Sequence, residues 1–429
     1  MSDDLDPVLY PNADDAEGSA VGLSRRRVLA GGAAVGGAAA AGCSGGGGGG
    51  DGNGGDAETD RPTVFVFNTG DDTVSLIDPG DGEVVGTRAV GLSSSFPSNQ
   101  YAPGLTDDPE EPLWLNVGRG VRGLSVGDLS ETASFETESG ANWIERTPGG
   151  DHALVSAREP THAQFRIDAD PGSETFGETT GTIDRTPEGG HSGMDGPGPC
   201  DVTIHPDGEY AYVPDIFGDT LTVLSTDPFG IEGQRRVEAV AGERSRPWMA
   251  TAAVGGDAML VEHDEGEAGT ESVWDVSDPA NPVERTRLTA ADGLGERPLT
   301  SEIGPDGETG YVFTPGTEDV TVIDLTEDAV IDRLDLGGSA FAGTWDPERT
   351  ALYAPVQTND EVAVIDHDQG AITDRIDVGA APYGATSARV RPGDEPLSSL
   401  SVALARLDVG GESAETTYCI GECACGHRL

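Results

Sequence analysis

Three cysteines and one histidine lie within nine residues near the C-terminal end of the chain. They are Cys419, Cys423, Cys425 and His427. Thiolate and imidazole groups are preferred ligands of zinc and copper, and four of them this close together can surround one tetrahedral ion. The spacing differs from that of zinc fingers and ferredoxins, so the cysteines could instead form disulfides, among themselves or with Cys200. The sequence therefore predicts a zinc or copper site or a disulfide-linked tail, with free thiols as a third alternative.

Other groups that could do chemistry are few. His191 precedes Asp195 and Cys200 in a glycine-rich stretch, which is either a soft-metal cluster or a solvated loop. His263 and His367 stand beside acidic residues, and we expect both to be exposed to solvent. The chain has no H-E-x-x-H pair, no phosphate-binding glycine loop and no C-x-x-C-H haem attachment. No catalytic residue can be nominated from these patterns.

The body of the chain repeats one pattern. Its clearest copy, residues 199–225, has a Pro-Asp-Gly turn between short β-branched and aromatic runs, and further copies begin at residues 302 and 345. Proline presets φ and glycine accepts positive φ, so Pro-Asp-Gly is turn chemistry, and the flanking alternation is strand patterning. Four such strands in each unit of roughly 40–50 residues are typical of propeller blades.

These units resemble the YVTN family of β-propeller repeats over most of residues 62–392. The resemblance implies an all-β propeller, and we count seven four-stranded blades, with six or eight as alternatives. Residues 382–390 read as one further strand, which would complete the first blade and close the ring so that no edge is left exposed. Two insertions, residues 92–112 and 171–199, interrupt the repeats, and we expect such long loops on an end face where ligands bind.

The N-terminal segment has the features of an export signal. Residues 24–29 resemble the twin-arginine export motif, with Arg25 and Arg26 as its pair, and the apolar run after it is too short to span a bilayer of ~30 Å. The run ends at Cys43 in a sequence that resembles a lipobox, so Cys43 is the predicted lipidation site, with an uncleaved anchor as the alternative. We predict a signal in residues 1–43, a flexible tether in 44–61, the propeller in 62–394 and a C-terminal extension in 395–429.

The charge is extreme and evenly spread. Against 77 acidic side chains the chain has 25 basic ones, all arginine, for a formal net charge of -52. This self-repulsion would expand a compact fold at low salt, whereas at molar salt the screening length falls to roughly 3 Å. The composition therefore indicates an extreme halophile, and the same charge argues against binding nucleic acid.

Together these features predict a lipid-anchored protein on the outer side of the membrane. The expected function is a non-enzymatic binding scaffold whose propeller face contacts a protein or glycan. One alternative is a metal chaperone that uses the cysteine tail. Another is an enzyme of the lactonase or quinoprotein kind, because YVTN-like propellers resemble lactonase folds.

Overall fold

The computed structural model of the chain describes residues 57–394, 397 and 402–403. These residues belong to the second of the chain's two units, which comprises residues 53–429. They form seven antiparallel sheets, six with four strands and one with three, arranged as the blades of a β-propeller. The predicted all-β, seven-bladed fold is confirmed.

The strands run in chain order from the inside to the outside of each blade, except that blade 1 takes its inner strand from the C-terminal end. Blade 1 contains β1 (Glu58–Asn68), β2 (Thr73–Asp78) and β3 (Glu83–Ala89); blade 2 contains β4 (Pro112–Val117), β5 (Gly120–Ser125) and β6 (Glu131–Glu136); blade 3 contains β7 (Asn142–Arg146), β8 (His152–Ala157), β9 (Ala163–Asp168) and β10 (Thr179–Asp184); blade 4 contains β11 (Thr203–Ile204), β12 (Tyr210–Asp215), β13 (Thr220–Ser225) and β14 (Gly230–Arg236). Blade 5 contains β15 (Pro247–Ala252), β16 (Ala258–His263), β17 (Thr270–Asp275) and β18 (Val283–Leu288); blade 6 contains β19 (Ser301–Ile303), β20 (Thr309–Thr314), β21 (Asp319–Asp324) and β22 (Ala329–Asp335); blade 7 contains β23 (Thr344–Trp345), β24 (Ala351–Val356), β25 (Glu361–Asp366) and β26 (Ala371–Asp377); the last strand is β27 (Pro382–Arg391).

Between residues 57 and 394, helical structure is limited to single turns. They are α1 (Ala102–Leu105) and the 3-10 segments Thr186–Glu188, His191–Gly193, Ala290–Asp292 and Gln357–Asn359. No helix in this part of the chain has the length and apolar character needed to cross a bilayer.

The Pro-Asp-Gly turns form as their chemistry predicts. Gly208 and Gly307 have φ values of 75° and 70°, in the region that favours glycine. The Gly208 amide donates to the His205 carbonyl at 2.9 Å, which closes the turn between β11 and β12. The same geometry in other blades confirms that the sequence repeat is a structural one.

The ring closes through β27. This strand pairs antiparallel with β1, with Val64 opposite Ser387 and Phe65 opposite Thr386, so the C-terminal strand is the innermost strand of blade 1. Closure was predicted from residues 382–390 and is confirmed. Because the two ends of the propeller share one sheet, neither leaves an unpaired inner edge.

Blade 2 departs from the pattern because its sheet lacks a regular inner strand. Residues 93–98, from the first insertion, run alongside β4 instead, and the Ser98 amide donates to the Trp114 carbonyl at 2.9 Å. The Phe96 amide donates to Oδ1 of Asn116 at 2.9 Å. The first insertion thus begins as a substitute for the missing strand.

The second insertion is shorter than expected. Residues 171–199 include β10, the outermost strand of blade 3, which pairs with β9. The sequence does not reveal β10 as a strand, because an outermost strand buries little surface and keeps few apolar residues. All six residues of β10 are exposed or half-buried.

Candidate functional site

The tip of the first insertion fills the central channel. Gln100, which is 7% exposed, donates from Nε2 to the carbonyls of Ile204 (3.1 Å) and Ala252 (2.7 Å), on the inner strands of blades 4 and 5. Its Oε1 accepts a hydrogen bond from the Thr203 hydroxyl at 3.0 Å. The Tyr101 hydroxyl donates to the same Ile204 carbonyl at 2.6 Å. The Gln100 side chain therefore supplies the hydrogen bonds that water would otherwise make to backbone groups of two blades.

Neighbouring residues of this segment, which we call the plug (residues 96–101), bind the opposite sides of the channel. The Asn99 amide donates to Glu302 Oε1 and to the Gly343 carbonyl, both at 2.7 Å. The Ser98 hydroxyl donates to Glu145 Oε1 at 2.9 Å. The Arg349 guanidinium donates to the Gln100 carbonyl. The plug thus contacts blades 3 to 7 through directed polar bonds.

The channel wall is a ring of equivalent positions on the inner strands. Each member pairs with the corresponding buried residue of the second strand, so the members occupy the same register position in their blades. Four members are threonines and two are glutamates: Glu145, Thr203, Thr251, Glu302, Thr344 and Thr386. The two glutamates are the chemically distinctive members of the ring.

A cavity of about 60 Å³ remains between the plug and the wall. It is lined by Gln100, Trp143, Glu145, Asp201 and Glu302, among others. Because one water molecule needs roughly 10–15 Å³ of such space, the cavity has room for a few waters in this conformation.

Burial changes the acidity of the carboxyls around this cavity. Desolvation raises the pKa of Glu145 to about 7, although hydrogen bonds from Ser98 and the Arg146 amide oppose the shift. Desolvation likewise raises the pKa of Asp201 to about 7 and that of Glu302 to about 8. Carboxyls with near-neutral pKa values can accept and return a proton at neutral pH, which is the property of a general base.

Asp201 differs from the ring glutamates in its hydrogen-bond partners. Its Oδ1 accepts from the Val202 amide at 2.7 Å and its Oδ2 from the Ala250 amide at 2.9 Å. Both oxygens are therefore used to tie blade 4 to blade 5. Glu145 is the better candidate for chemistry, because its Oε1 accepts from the Ser98 hydroxyl and the Arg146 amide, whereas its Oε2 has only a long contact of 3.4 Å with the Gln100 amide.

Most residues singled out by sequence lie elsewhere. The tail residues Cys419, Cys423, Cys425 and His427, and Arg25, Arg26 and Cys43, fall outside the described residues, so the predicted zinc or copper site and the export signal stay predictions. Within the described residues, no group of three or more His, Cys, Asp or Glu side chains is arranged to hold a metal ion.

The histidine predictions have mixed outcomes. His191 contacts Asp219 across 3.0 Å, and Cys200 is buried beside Arg158, whose Nη1 lies 3.7 Å from its Sγ. His263 was expected to be exposed, and this is wrong: it is fully buried and hydrogen-bonded to the Ser245 carbonyl and the Ser272 hydroxyl. Acidic neighbours in sequence suggested solvent, but the strand register turns the ring inward. His367 is also largely covered and bonds the Tyr311 hydroxyl at 2.9 Å.

Sequence reasoning missed the channel residues. Glu145 and Glu302 lie in blades 3 and 6, and Gln100 lies in a loop that carries no motif. The one available signal was a glutamate at a repeat position where other blades have threonine. It becomes meaningful only when the strands of separate blades are aligned.

The chain is a seven-bladed β-propeller, similar in fold to the 6-phosphogluconolactonase-like propellers, and its own centre is plugged and lined by acidic side chains. No family model matches the chain, and no curated protein is significantly similar to it in sequence. Among solved structures, it is similar to the periplasmic gluconolactonase of Pseudomonas aeruginosa, with 14% identity and a TM-score of 0.59 over 76% of this chain and 99% of that one. It is also similar to a candidate 6-phosphogluconolactonase from Bacteroides fragilis, with 14% identity and a TM-score of 0.60 over 76% of this chain and 98% of that one. A third similar structure is the hydrazine synthase of Kuenenia stuttgartiensis, with 16% identity and a TM-score of 0.54 over 74% of this chain and 99% of that one.

At such identities the likeness concerns the fold. It nevertheless corrects the expectation of a non-enzymatic binding scaffold, because propellers of this arrangement are named as lactonases. The lactonase-like alternative agrees better with these neighbours and with the acid-lined channel.

Proposed function

We propose that the protein is a lactonase-like hydrolase that opens a small cyclic ester in its central channel. The observation that carries the proposal is Glu145, a fully buried carboxyl with a pKa of about 7 that lines the channel cavity. The names of the similar propellers add support, since two of them refer to lactonases. The identity of the lactone is left to the assay.

Glu145 would act as the general base. Its carboxylate takes a proton from water as the water oxygen bonds to the lactone carbonyl carbon. The ring C–O bond then breaks, and the departing alkoxide receives that proton from Glu145. The net reaction adds one water and gives a hydroxy acid. A base with a pKa near the working pH is well placed for both transfers.

Substrate entry requires the plug to shift. The cavity of about 60 Å³ holds only a few waters, so a lactone ring must displace Asn99 and Gln100 from their present partners. The freed side-chain amides and the carbonyls they leave would then be available to a polyhydroxylated substrate. Only a ligand that forms equivalent hydrogen bonds would compensate for the free energy lost when those of Asn99 and Gln100 break. This reorganisation would therefore contribute to substrate selection.

The proposal is tested by assaying ring opening of five- and six-membered sugar lactones in molar potassium chloride. The wild type should exceed spontaneous hydrolysis, and Glu145→Gln should lower kcat by at least about 100-fold, the usual contribution of a general base. Glu232→Gln, an exposed glutamate on β14, is the matched control and should retain full activity. Absence of turnover above the spontaneous rate with the whole lactone set would refute the proposal.

We further propose that the protein is exported by the twin-arginine route and held on the outer side of the membrane by a lipid on Cys43. The support is the order of features in residues 24–60: the arginine pair, a short apolar run, the lipobox-like cysteine and a glycine-rich tether. The lysine-free acidic composition and the YVTN-like repeats support a halophilic surface protein.

Localisation can be tested without any activity assay. Replacing Arg25 and Arg26 by lysine should leave full-length precursor inside the cell, whereas Cys43→Ser should permit export but abolish lipid labelling. Normal processing and export of the lysine variant would contradict the twin-arginine assignment.

A further inference from the structure

Blade 5 has two glutamates at a place where most blades are apolar. Glu262 on β16 is directly opposite Glu271 on β17. Each blade has an equivalent pair, two residues beyond the partner of the ring position. In four blades that pair is apolar: Phe67–Val74, Pro214–Leu221, Phe313–Val320 and Pro355–Val362.

The other polar pairs have a visible explanation, whereas this one does not. In blade 3 the equivalent residues are Ser156 and Gln164, which bond each other at 3.0 Å. In blade 5 both glutamates are fully buried, and none of their four carboxyl oxygens has a hydrogen-bond partner in the described structure. Burying such groups unpaired is costly, and a native fold seldom leaves them so.

A third unpartnered oxygen lies beside them. Glu262 and Glu271 share a sheet face with Leu260 and Val273, which pack against blade 6. From blade 6 comes Ser301 on β19, which is 3% exposed; its hydroxyl has no hydrogen bond of regular geometry, but it lies near enough to the Glu262 carboxyl to oppose the rise in pKa that burial causes there. Three buried oxygen groups from two blades therefore meet at one interface.

No basic side chain on this face neutralises the pair. Arg287 influences Glu271, but it is opposite Ser272 in the register, whereas Glu271 is opposite Leu288, so Arg287 belongs to the other face of the sheet. Its guanidinium is also held by Glu265 and Glu284, both at 2.8 Å. His263 faces away as well, toward Ser245 and Ser272.

We propose that Glu262, Glu271 and Ser301 bind a calcium ion between blades 5 and 6. Two carboxylates balance the charge of a divalent cation, and calcium takes six to eight oxygen ligands with tolerant geometry, completed here by backbone carbonyls or water. Ser301 also lines the channel cavity. The site is independent of the proposed hydrolysis and would add a further link between two blades that already share polar contacts, such as the 2.8 Å hydrogen bond from the Thr251 hydroxyl to the Ser301 carbonyl.

The experiment uses the full chain, freed of metal with a chelator and dialysed in molar potassium chloride at pH 8. Equilibrium dialysis with radioactive calcium should give one bound ion per chain, and calcium should raise the unfolding temperature because it binds the folded state. The double variant E262Q/E271Q keeps the shape of both side chains and should bind calcium at least about tenfold more weakly.

Two controls separate this site from the channel and from the tail. Glu145→Gln should bind calcium as the wild type does, and so should a chain that ends at Asp394. The proposal is overturned if the wild-type protein binds no calcium; a higher unfolding temperature of E262Q/E271Q than of wild type would then indicate that the glutamates are protonated instead. If the double variant does not fold, the wild-type titration alone decides.

Discussion

Glu145 shows how the fold alters the chemistry of one residue. In the unfolded chain its carboxyl has an ordinary pKa, but in the channel burial raises the pKa to about 7. The folded protein therefore binds this proton more tightly than the unfolded protein does. The stability that depends on it is complete below the ordinary pKa and is lost as pH rises through about 7.

Glu145→Gln should reduce the pH dependence of stability. Between pH 5 and 8 the wild type is expected to lose up to about 3 kcal/mol from this group, whereas the neutral glutamine has no such loss. The measurement is urea unfolding at several pH values in molar potassium chloride. Glu232→Gln should keep the wild-type slope, and an unchanged slope in Glu145→Gln would contradict the raised pKa.

At the scale of elements, the plug is the segment that fills the centre of this propeller. It starts as the substitute inner strand of blade 2 and ends in α1, so both of its ends are fixed in the ring. Its hydrogen bonds to the backbone of blades 4 and 5 are the ones that a substrate would have to replace.

Gln100→Ala should destabilise the propeller by about 2–3 kcal/mol, because it leaves the Ile204 and Ala252 carbonyls and the Thr203 hydroxyl without this partner. It should also enlarge the cavity, because the side chain that fills part of the channel is removed. Gln369→Ala, at an exposed turn, is the control and should change stability by less than about 0.5 kcal/mol. Equal stability of the two variants by urea unfolding would refute the structural role of the plug.

At the scale of the whole molecule, β27 determines whether the ring closes. A chain that ends at Gly379 lacks this strand and leaves the inner edge of β1 unpaired, whereas a chain that ends at Asp394 retains it. We expect the shorter chain to lose cooperative unfolding and to aggregate, and the longer one to unfold like the full protein. Circular dichroism during thermal unfolding distinguishes them, and a cooperative transition in the shorter chain would contradict closure by β27.

The net charge of -52 also acts on the whole molecule. Lowering potassium chloride from about 1 M to about 0.1 M lengthens the screening distance from roughly 3 Å to roughly 10 Å, so the unfolding temperature should fall. Sucrose at low salt should restore little of it, since sucrose does not screen charge. A salt-independent unfolding temperature would argue against the halophilic interpretation.

Sequence alone determined the blades, because each is built from contacts between neighbouring strands and closed by local turn chemistry. The Pro-Asp-Gly turns and the alternating runs are visible within a single repeat unit. The closing strand is visible as one further strand, residues 382–390, after the last unit. The second insertion was overestimated because β10 is an exposed outer strand and lacks the apolar alternation that marks the others.

Only the tertiary structure decided what those blades bring together. Gln100 meets Thr203, Ile204 and Ala252 because the ring joins segments more than a hundred residues apart, and no local pattern encodes that convergence. The same holds for Glu262 and Glu271, which the register places opposite each other and which the packing of two blades buries. A strand's period tells which residues share a face, but only the packing of sheets tells whether that face contacts water or another blade.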